Sequence, residues 1–355
     1  YTELGALVEK AQIPVVTTLL GIGCFPESHP LSYGMLGMHG MVYANKAINE
    51  SDLIIAIGMR FDDRATGKAS AFAPNAKIVH IDIDPAEIGK NVRVDIPIVG
   101  DAKSVLEELN KLVEPTIHVD WVEQLDAWRK EHPAVEIRDT EKVLPQYVIR
   151  KIYEMTKGEA IIVTGVGQNQ MWAAQHYWYD RPNTLITSGG LGAMGFELPG
   201  AIGAKVGRPD DTVWCIAGDG GFQMTLHELA TAVQEKVAVK IAILNNCCLG
   251  MVRQWQELFY KKNYVATSLT GPDFVKIAEA YGVPGLKVTY KEQVVPAIEK
   301  AMKTDGPFLI DFSVEPDENV YPMVPPGASL AECIEEPCLK VKEVTDSTKL
   351  PVSNI

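Results

Sequence analysis

Short apolar runs, each closed by glycine or a polar turn, recur along this chain and alternate with stretches whose apolar residues return every three or four positions. The first pattern marks buried strands and the second marks amphipathic helices. Residues 13–20, 52–58 and 77–84 read as strands. Residues 102–113 follow as a helix, with Val105, Leu106, Leu109 and Val113 on one face and Asp101 as its N-cap. Residues 1–11 read as an amphipathic helix running straight into a strand, the middle of a strand–helix–strand unit, so further residues are expected upstream. From 114 to 141 the pattern lapses into prolines and charges around one short helix near 121–130. A second alternating run starts near Val143, with strands expected at 160–164, 184–187, 212–217, 239–244 and 307–312. The expected fold class is α/β, with two doubly wound parallel-sheet domains. The first spans 1–113 and the second 142–330, joined by a linker over 114–141 and followed by a surface tail over 331–355.

Bulk composition removes several classes of function. Apolar residues at 46% and charged residues at 22% suit a soluble globular protein. A net charge of −13 without a basic block argues against nucleic acid, because phosphate binding needs clustered Lys and Arg. No uncharged apolar stretch reaches the length of a membrane span, and the first residues lack the pattern of a signal peptide. Cys24, Cys215, Cys247, Cys248, Cys333 and Cys338 show no zinc or secreted-disulfide spacing. A reducing compartment, the cytoplasm, is the expected location.

The chemistry concentrates where strands end. The apolar run before Gly218-Asp219-Gly220 stops abruptly, and after one helix (225–234) another apolar strand stops at Asn245-Asn246. A right-handed crossover makes those strands parallel, so Asp219 and Asn246 arrive side by side at one edge of the sheet. One carboxylate and one amide oxygen cannot cage a divalent ion alone. They suit Mg²⁺ that also takes oxygens from a diphosphate, a backbone carbonyl and water. Gly220 and Gly221 open the next helix, whose amides can approach an anion with no Cβ in the way. A lone Gly-Asp-Gly is usually only a turn; its spacing to the Asn pair is what carries information.

That pairing resembles the signature of thiamine-diphosphate enzymes. In that family the matching Asp219 and Asn246 bind the metal together with the backbone carbonyl at Cys248. Gly165-Val166-Gly167-Gln168 with Met171-Trp172, and Ser188-Gly189-Gly190-Leu191-Gly192-Ala193-Met194-Gly195, look like the cofactor loops of the acetohydroxyacid synthase family. The resemblance places Gln168, Asn169, Gly190, Gly218, Gly220 and Gly221 around the diphosphate and Met194 near the aminopyrimidine. Leu249-Gly250-Met251-Val252-Arg253-Gln254-Trp255-Gln256 narrows the likeness further. It implies that Met251 lies beside the thiazolium and that Trp255 shapes the pocket for a second 2-keto acid. The plainer alternative is that Met251, Val252, Trp255 and Phe259 are the apolar stripe of a core helix.

In the first domain Arg60-Phe61-Asp62-Asp63-Arg64 leaves the carboxyl end of a strand. Such a loop is often merely solvated, yet a guanidinium fork suits a carboxylate. The resemblance assigns Arg64 to the carboxylate of the acceptor keto acid and Arg60 with Asp62 to a flavin. Thr18-Leu19, Leu36-Gly37-Met38-His39-Gly40 and Ile81-Asp82-Ile83-Asp84 look like FAD-binding segments, so Thr18, Leu19, Met38, His39, Gly40 and Asp82 join that expected set, as does Asp101. Asp82, at a strand end, is a plausible acceptor for a ribose hydroxyl. The first domain is thus expected to be of FAD-binding type, the second to bind thiamine diphosphate and Mg²⁺.

The implied reaction decarboxylates pyruvate and condenses the remaining two-carbon unit with a second 2-keto acid. Its product is 2-acetolactate from pyruvate or 2-aceto-2-hydroxybutyrate from 2-ketobutyrate, the first common step of branched-chain amino acid biosynthesis. FAD is expected to be structural. A homodimer or homotetramer is implied, with room for a small regulatory subunit. A pyruvate oxidase or another 2-keto acid decarboxylase is the alternative within the superfamily; a truncated, non-catalytic cofactor-binding module is the alternative outside catalysis. The chain departs from the family at Asn169, where His is common, and at Cys247-Cys248, a thiol pair beside the site. No segment matches the family's N-terminal pyrimidine-binding domain with its activating Glu. The expectation is that these 355 residues alone are inactive.

Overall fold

The computed structural model describes residues 1–133 and 136–336, and every pairing between its named strands is parallel. Helix α1 (Thr2–Ala11) leads into β1 (Val15–Thr17), which pairs with β2 (Ser32–Met35), and α2 (Val42–Asn49) follows. Strands β3 (Leu53–Ile57), β4 (Lys77–Asp82) and β5 (Ile96–Val99) form a separate three-stranded sheet in that order. Helix α3 (Asp63–Thr66) leaves β3 and α4 (Ala102–Leu112) leaves β5. The first region thus carries two small parallel sheets, and two of its strands, β2 and β5, were not expected from the sequence. Pro97 in β5 cannot donate to a ladder, which suits the sheet edge it occupies. Asp101 caps α4 by accepting from the Ser104 amide at 3.0 Å, a contact worth about 1 kcal/mol. Only Leu106 of the expected apolar face is buried; Val105, Leu109 and Val113 are half-buried.

Helix α5 (Val119–Glu131) lies within the expected linker and packs onto the first region. Leu125 is buried against Tyr33 and Tyr43, and the Arg129 guanidinium stacks 4.1 Å from the Tyr33 ring centre.

Helix α6 (Pro145–Thr156) opens the second region, with proline in the first turn, where a missing N–H is no loss. Its strands are β6 (Ile161–Thr164), β7 (Leu185–Thr187), β8 (Val213–Gly218), β9 (Lys240–Asn245), β10 (Gly285–Val288) and β11 (Phe308–Ser313). They form one sheet in the order β10-β11-β9-β8-β6-β7. Between them run α7 (Gln168–His176), α8 (Glu197–Gly207), α9 (Asp219–Thr225), α10 (Leu229–Gln234), α11 (Gly250–Phe259), α12 (Phe274–Ala280) and α13 (Val294–Lys303). The helix expected at 225–234 therefore starts earlier, at Asp219, and is interrupted by a tighter turn at Leu226–Glu228.

Alternation along β8 explains why both faces of this sheet are covered. Trp214 and Ile216 point to one side, where α6, α7 and α13 pack; Val213, Cys215 and Ala217 point to the other, against α8, α10 and α12. Ile22 and Met35 of the first region join the first of these cores, so the two regions share a dry contact. Of the expected tail, Ile334 bridges Met323 through paired backbone bonds, and residues 337–355 lie outside the described residues. Among the described residues no helix is long and apolar enough to cross a membrane.

Candidate active site

The chain leaves β6 outward to β7, then returns to β8 on the other side of β6 and continues to β9. Loops at such a reversal diverge and open a crevice at the carboxyl ends of the strands. Gln168 opens α7 after β6, Asp219 opens α9 directly after β8, and Asn246 follows β9, so three expected site residues are brought to one place.

Asp219 is 2% exposed, and its Oδ2 is buried without a hydrogen-bond partner. Burial, with smaller repulsion from Asp311, pushes its carboxyl up to about 6 despite nearby backbone amides. An orphaned carboxylate oxygen is costly to bury unless a cation or donor meets it. Among the described residues no three His, Cys, Asp or Glu side chains gather into a metal cluster, so any cation here must draw on amide, backbone and ligand oxygens. Asn246 lies buried alongside. Cys247 holds a left-handed φ of 56° and turns the chain sharply between Asn246 and Cys248. Cys248 bridges Ser268 through bonds made by its neighbours, Leu249 to Thr267 and Leu269 to Cys247. In such a pair the residue's own N–H and C=O face away from the partner strand. The donor set therefore fits a hard divalent cation shared with a polyanion.

Two expected diphosphate residues are placed otherwise. The Gln168 Nε2 donates to Gln254 Oε1 (3.0 Å) and to the Glu318 carbonyl (2.9 Å), while its Oε1 accepts from Asn246 Nδ2 (3.1 Å). Both side-chain donors are spent inside the protein, so the side chain supports Asn246 and has no donor left for a phosphate. Asn169 is likewise buried and donates to the Ile216 carbonyl at 2.9 Å, bracing α7 against β8. Gly190 and Met194 lie in the loop after β7, and the Met194 methyl comes within 3.7 Å of where a Cβ on Gly220 would be. Leu249 stands only 2.9 Å from the same point, so Gly220 admits no larger residue without movement.

Sequence reasoning missed Glu197. It is 0% exposed, and neither carboxylate oxygen has a partner by hydrogen-bond geometry. A Cβ on Gly165 or Gly221 would lie 2.6 Å or 2.5 Å from those oxygens, so both glycine loops are shaped around this side chain. Burial pushes the carboxyl up to about 7. An acidic residue between Phe196 and Leu198 was the available signal.

The core-stripe reading of α11 fails. Its buried residues are Arg253 and Gln254, whereas Met251 and Trp255 are only partly buried and Val252 is exposed. Trp255 meets Phe259 edge to face with ring centres 5.6 Å apart. Met251 packs against the main core from its rim.

In the first region Met38, Asp63, Arg64 and Gly67 line a cavity of about 190 Å³ together with residues 324–327 of the second region. Trp255 is not among the lining residues. The Met38 amide donates to the Arg64 carbonyl (2.7 Å), and Gly37 at φ 105° lets the two turns touch, since a Cβ would stand 2.3 Å from that oxygen. Gly40 closes the same turn. His39 is buried, its Nδ1 3.3 Å from the Pro322 carbonyl, and burial pushes its imidazole down to about 4. Burial between the two regions thus favours the neutral ring. Arg60 pairs with Asp62 at 3.5 Å, and Asp62 caps α3. Asp82 ends β4 and Asp101 follows its paired neighbour β5, at one edge near Gly58, whose Cβ position is open. Asp82 accepts from the Asp84 amide at 2.8 Å, and Asp101 is committed to its cap. Thr18 and Leu19 follow β1, with Leu19 against the second region's core.

Residues 165–312 match the family model described as "Thiamine pyrophosphate enzyme, C-terminal TPP binding domain", and residues 1–109 match that of the central domain. Acetolactate synthase 1, chloroplastic, of Zea mays is 49% identical over 346 residues, covering 94% of this chain and 54% of that protein. Acetolactate synthase of Mycobacterium leprae is 51% identical over 340 residues, covering 92% of this chain and 54% of that protein. Acetolactate synthase 1, chloroplastic, of Nicotiana tabacum is 49% identical over 348 residues, 94% of this chain and 52% of that protein. The chain spans about half the length of the curated relatives it matches.

Proposed function

This chain belongs to the thiamine pyrophosphate enzymes, on the branch of the acetolactate synthases, and from that premise we propose that it carries the diphosphate-, metal- and acceptor-binding parts of a 2-keto acid carboligase. The observation that carries the reading is the buried, unpartnered Asp219 Oδ2 beside Asn246 at the strand-order reversal. Asp219, the Asn246 amide oxygen and the Cys248 carbonyl would hold Mg²⁺, and Gly218, Gly220 and Gly221 leave the backbone open to a diphosphate. Thiamine diphosphate supplies the electron sink for losing carbon dioxide from pyruvate. Met194 and Met251 would pack against the cofactor and exclude water, and Arg64 would grip the carboxylate of the second keto acid. Asp82, at the carboxyl end of β4, would take a ribose hydroxyl of FAD, which would serve a structural role. The test is acetolactate formation from pyruvate with Mg²⁺, thiamine diphosphate and FAD added, in the full protein; no product under saturating cofactor would overturn the reading.

The cofactor edge carries exposed apolar residues. Leu191 is 98% exposed in the loop after β7; Leu20 contacts the start of this loop and Met224 its end. A second copy covering this patch, in a homodimer or homotetramer, is the arrangement we favour. The five cysteines among the described residues are free, in keeping with a reducing compartment such as the cytoplasm.

Two substitutions separate the acceptor side from the rest. Arg64→Lys keeps the charge but loses the planar fork, so carboligation should fall more than decarboxylation. Equal loss in both half-reactions, followed separately, would instead point to a folding or flavin defect. Trp255→Leu should blur the choice between 2-ketobutyrate and pyruvate. One methylene is worth roughly 1–3 kcal/mol, about 10–200-fold in a competition assay. An unchanged product ratio would remove Trp255 from the acceptor pocket.

A further inference from the structure

Three carboxamides run in series from the backbone of residues 318–320 to the metal position. The Val320 N–H donates to Gln254 Oε1 at 2.8 Å, and Gln254 Nε2 donates to the Val320 carbonyl at 2.9 Å. A backbone amide can only donate and a backbone carbonyl can only accept, so the two ends of Gln254 are assigned without ambiguity. Gln254 is 0% exposed, and water cannot relax that assignment. Its Oε1 and the Glu318 carbonyl together present two acceptors to Gln168, which must answer with its Nε2 (3.0 Å and 2.9 Å). Gln168 Oε1 is thereby turned to Asn246 and takes its Nδ2 at 3.1 Å. Only the Asn246 Oδ1 is left to face the other way, where the Cys248 amide approaches at 3.3 Å.

We infer that Gln254 and Gln168 are positioning residues that decide which end of the Asn246 amide meets the cation. The inference rests on the reading of Asn246 as a metal ligand. An asparagine ligand has an orientation problem that a carboxylate lacks: rotated by half a turn, it offers N–H groups to a cation and repels it. The relay removes that wrong rotamer before the metal arrives. It also explains why α11 buries its polar residues. Arg253 donates to the same Glu318 carbonyl at 3.0 Å and to Asn319 Oδ1 at 2.6 Å, holding the segment that anchors the relay. Gly250 belongs to the same device, because a Cβ there would stand 2.0 Å from Gln168 Oε1 and 2.6 Å from Asn246 Nδ2.

The test reads binding and needs no turnover. Mg²⁺ is titrated into the full protein at fixed thiamine diphosphate, with cofactor uptake followed by calorimetry and by tryptophan quenching. Gln254→Leu and Gln168→Leu should each raise the Mg²⁺ needed for half-saturation by about tenfold, the loss of roughly one oriented hydrogen bond. The double variant should be no worse than Gln168→Leu, because both act through one chain of contacts. In an Asn246→Asp background, where either end of the side chain offers oxygen, neither Leu substitution should weaken Mg²⁺ binding further. Equal losses in both backgrounds would mark a merely structural role and overturn the inference. No loss from Gln168→Leu in the parent would overturn it too, and that variant carries the test if Gln254→Leu does not fold. Asn246→Ala separates the levels: Mg²⁺ dependence unchanged by it would sink the metal-ligand reading itself, whereas loss there with both Leu variants intact would sink only the relay.

Discussion

Asp219→Ala is expected to abolish Mg²⁺-dependent retention of thiamine diphosphate while leaving the unloaded chain folded. Its carboxylate is the one anionic side chain proposed to touch the cation, and its Oδ2 is buried with no protein partner. Disturbing groups that merely support a metal ligand costs about 10–100-fold in affinity, so removing the ligand should cost about 100-fold or more. The unloaded fold should tolerate the change, because Oδ2 made no hydrogen bond and burial of the charge was unfavourable, which offsets the loss of the backbone amides' contact with the carboxylate. Calorimetry on the variant would show heats of cofactor binding that no longer depend on Mg²⁺. Unchanged cofactor affinity would remove Asp219 from the metal site, and a collapsed melting transition would make it a structural residue.

Glu197→Gln should stabilise the protein at pH 8 by about 3 kcal/mol and change little near pH 4. Burial raises this carboxyl from its ordinary 4.5 to about 7, so the folded state holds a proton that the unfolded chain has already released. For a raised carboxyl the folded state is at its best below the unfolded value and loses stability as pH climbs through the folded one. The window of loss therefore runs from about pH 4.5 to about pH 7. About 1.4 kcal/mol per unit over that window is the origin of the magnitude, and full burial leaves little solvent screening to reduce it. Glutamine keeps the shape that Gly165 and Gly221 accommodate and carries no titrating proton. Denaturant melts of both proteins between pH 4 and pH 8 would show the curves diverging upward. Parallel curves would mean that Glu197 finds a partner as an anion.

Much of this was readable before any coordinates. The Asp219 and Asn246 turns sit at the ends of parallel neighbours because two apolar runs separated by a helix admit few topologies. The expected strands β3, β4, β6, β7, β8, β9 and β11 were each found within a residue or two, since most of them announce themselves as unbroken apolar runs. The short edge strand β10 escaped, as did β2 and β5, because their stability comes from one neighbouring strand more than from their own residues.

What the sequence alone determined was which residue types stand at strand ends, and through them the family and the chemistry to look for. What only the tertiary structure decided was burial and hydrogen-bond direction. Nothing in the sequence of α11 says that Gln254 is buried and Trp255 only partly so, because a helix chooses its inward face by what lies opposite it. Glu197 and Gln168 were likewise settled by neighbours distant in the chain: Gly165 and Gly221 for one, Gln254 and Glu318 for the other. A carboxylate or an amide has no fixed role until its surroundings set its charge and fix its orientation.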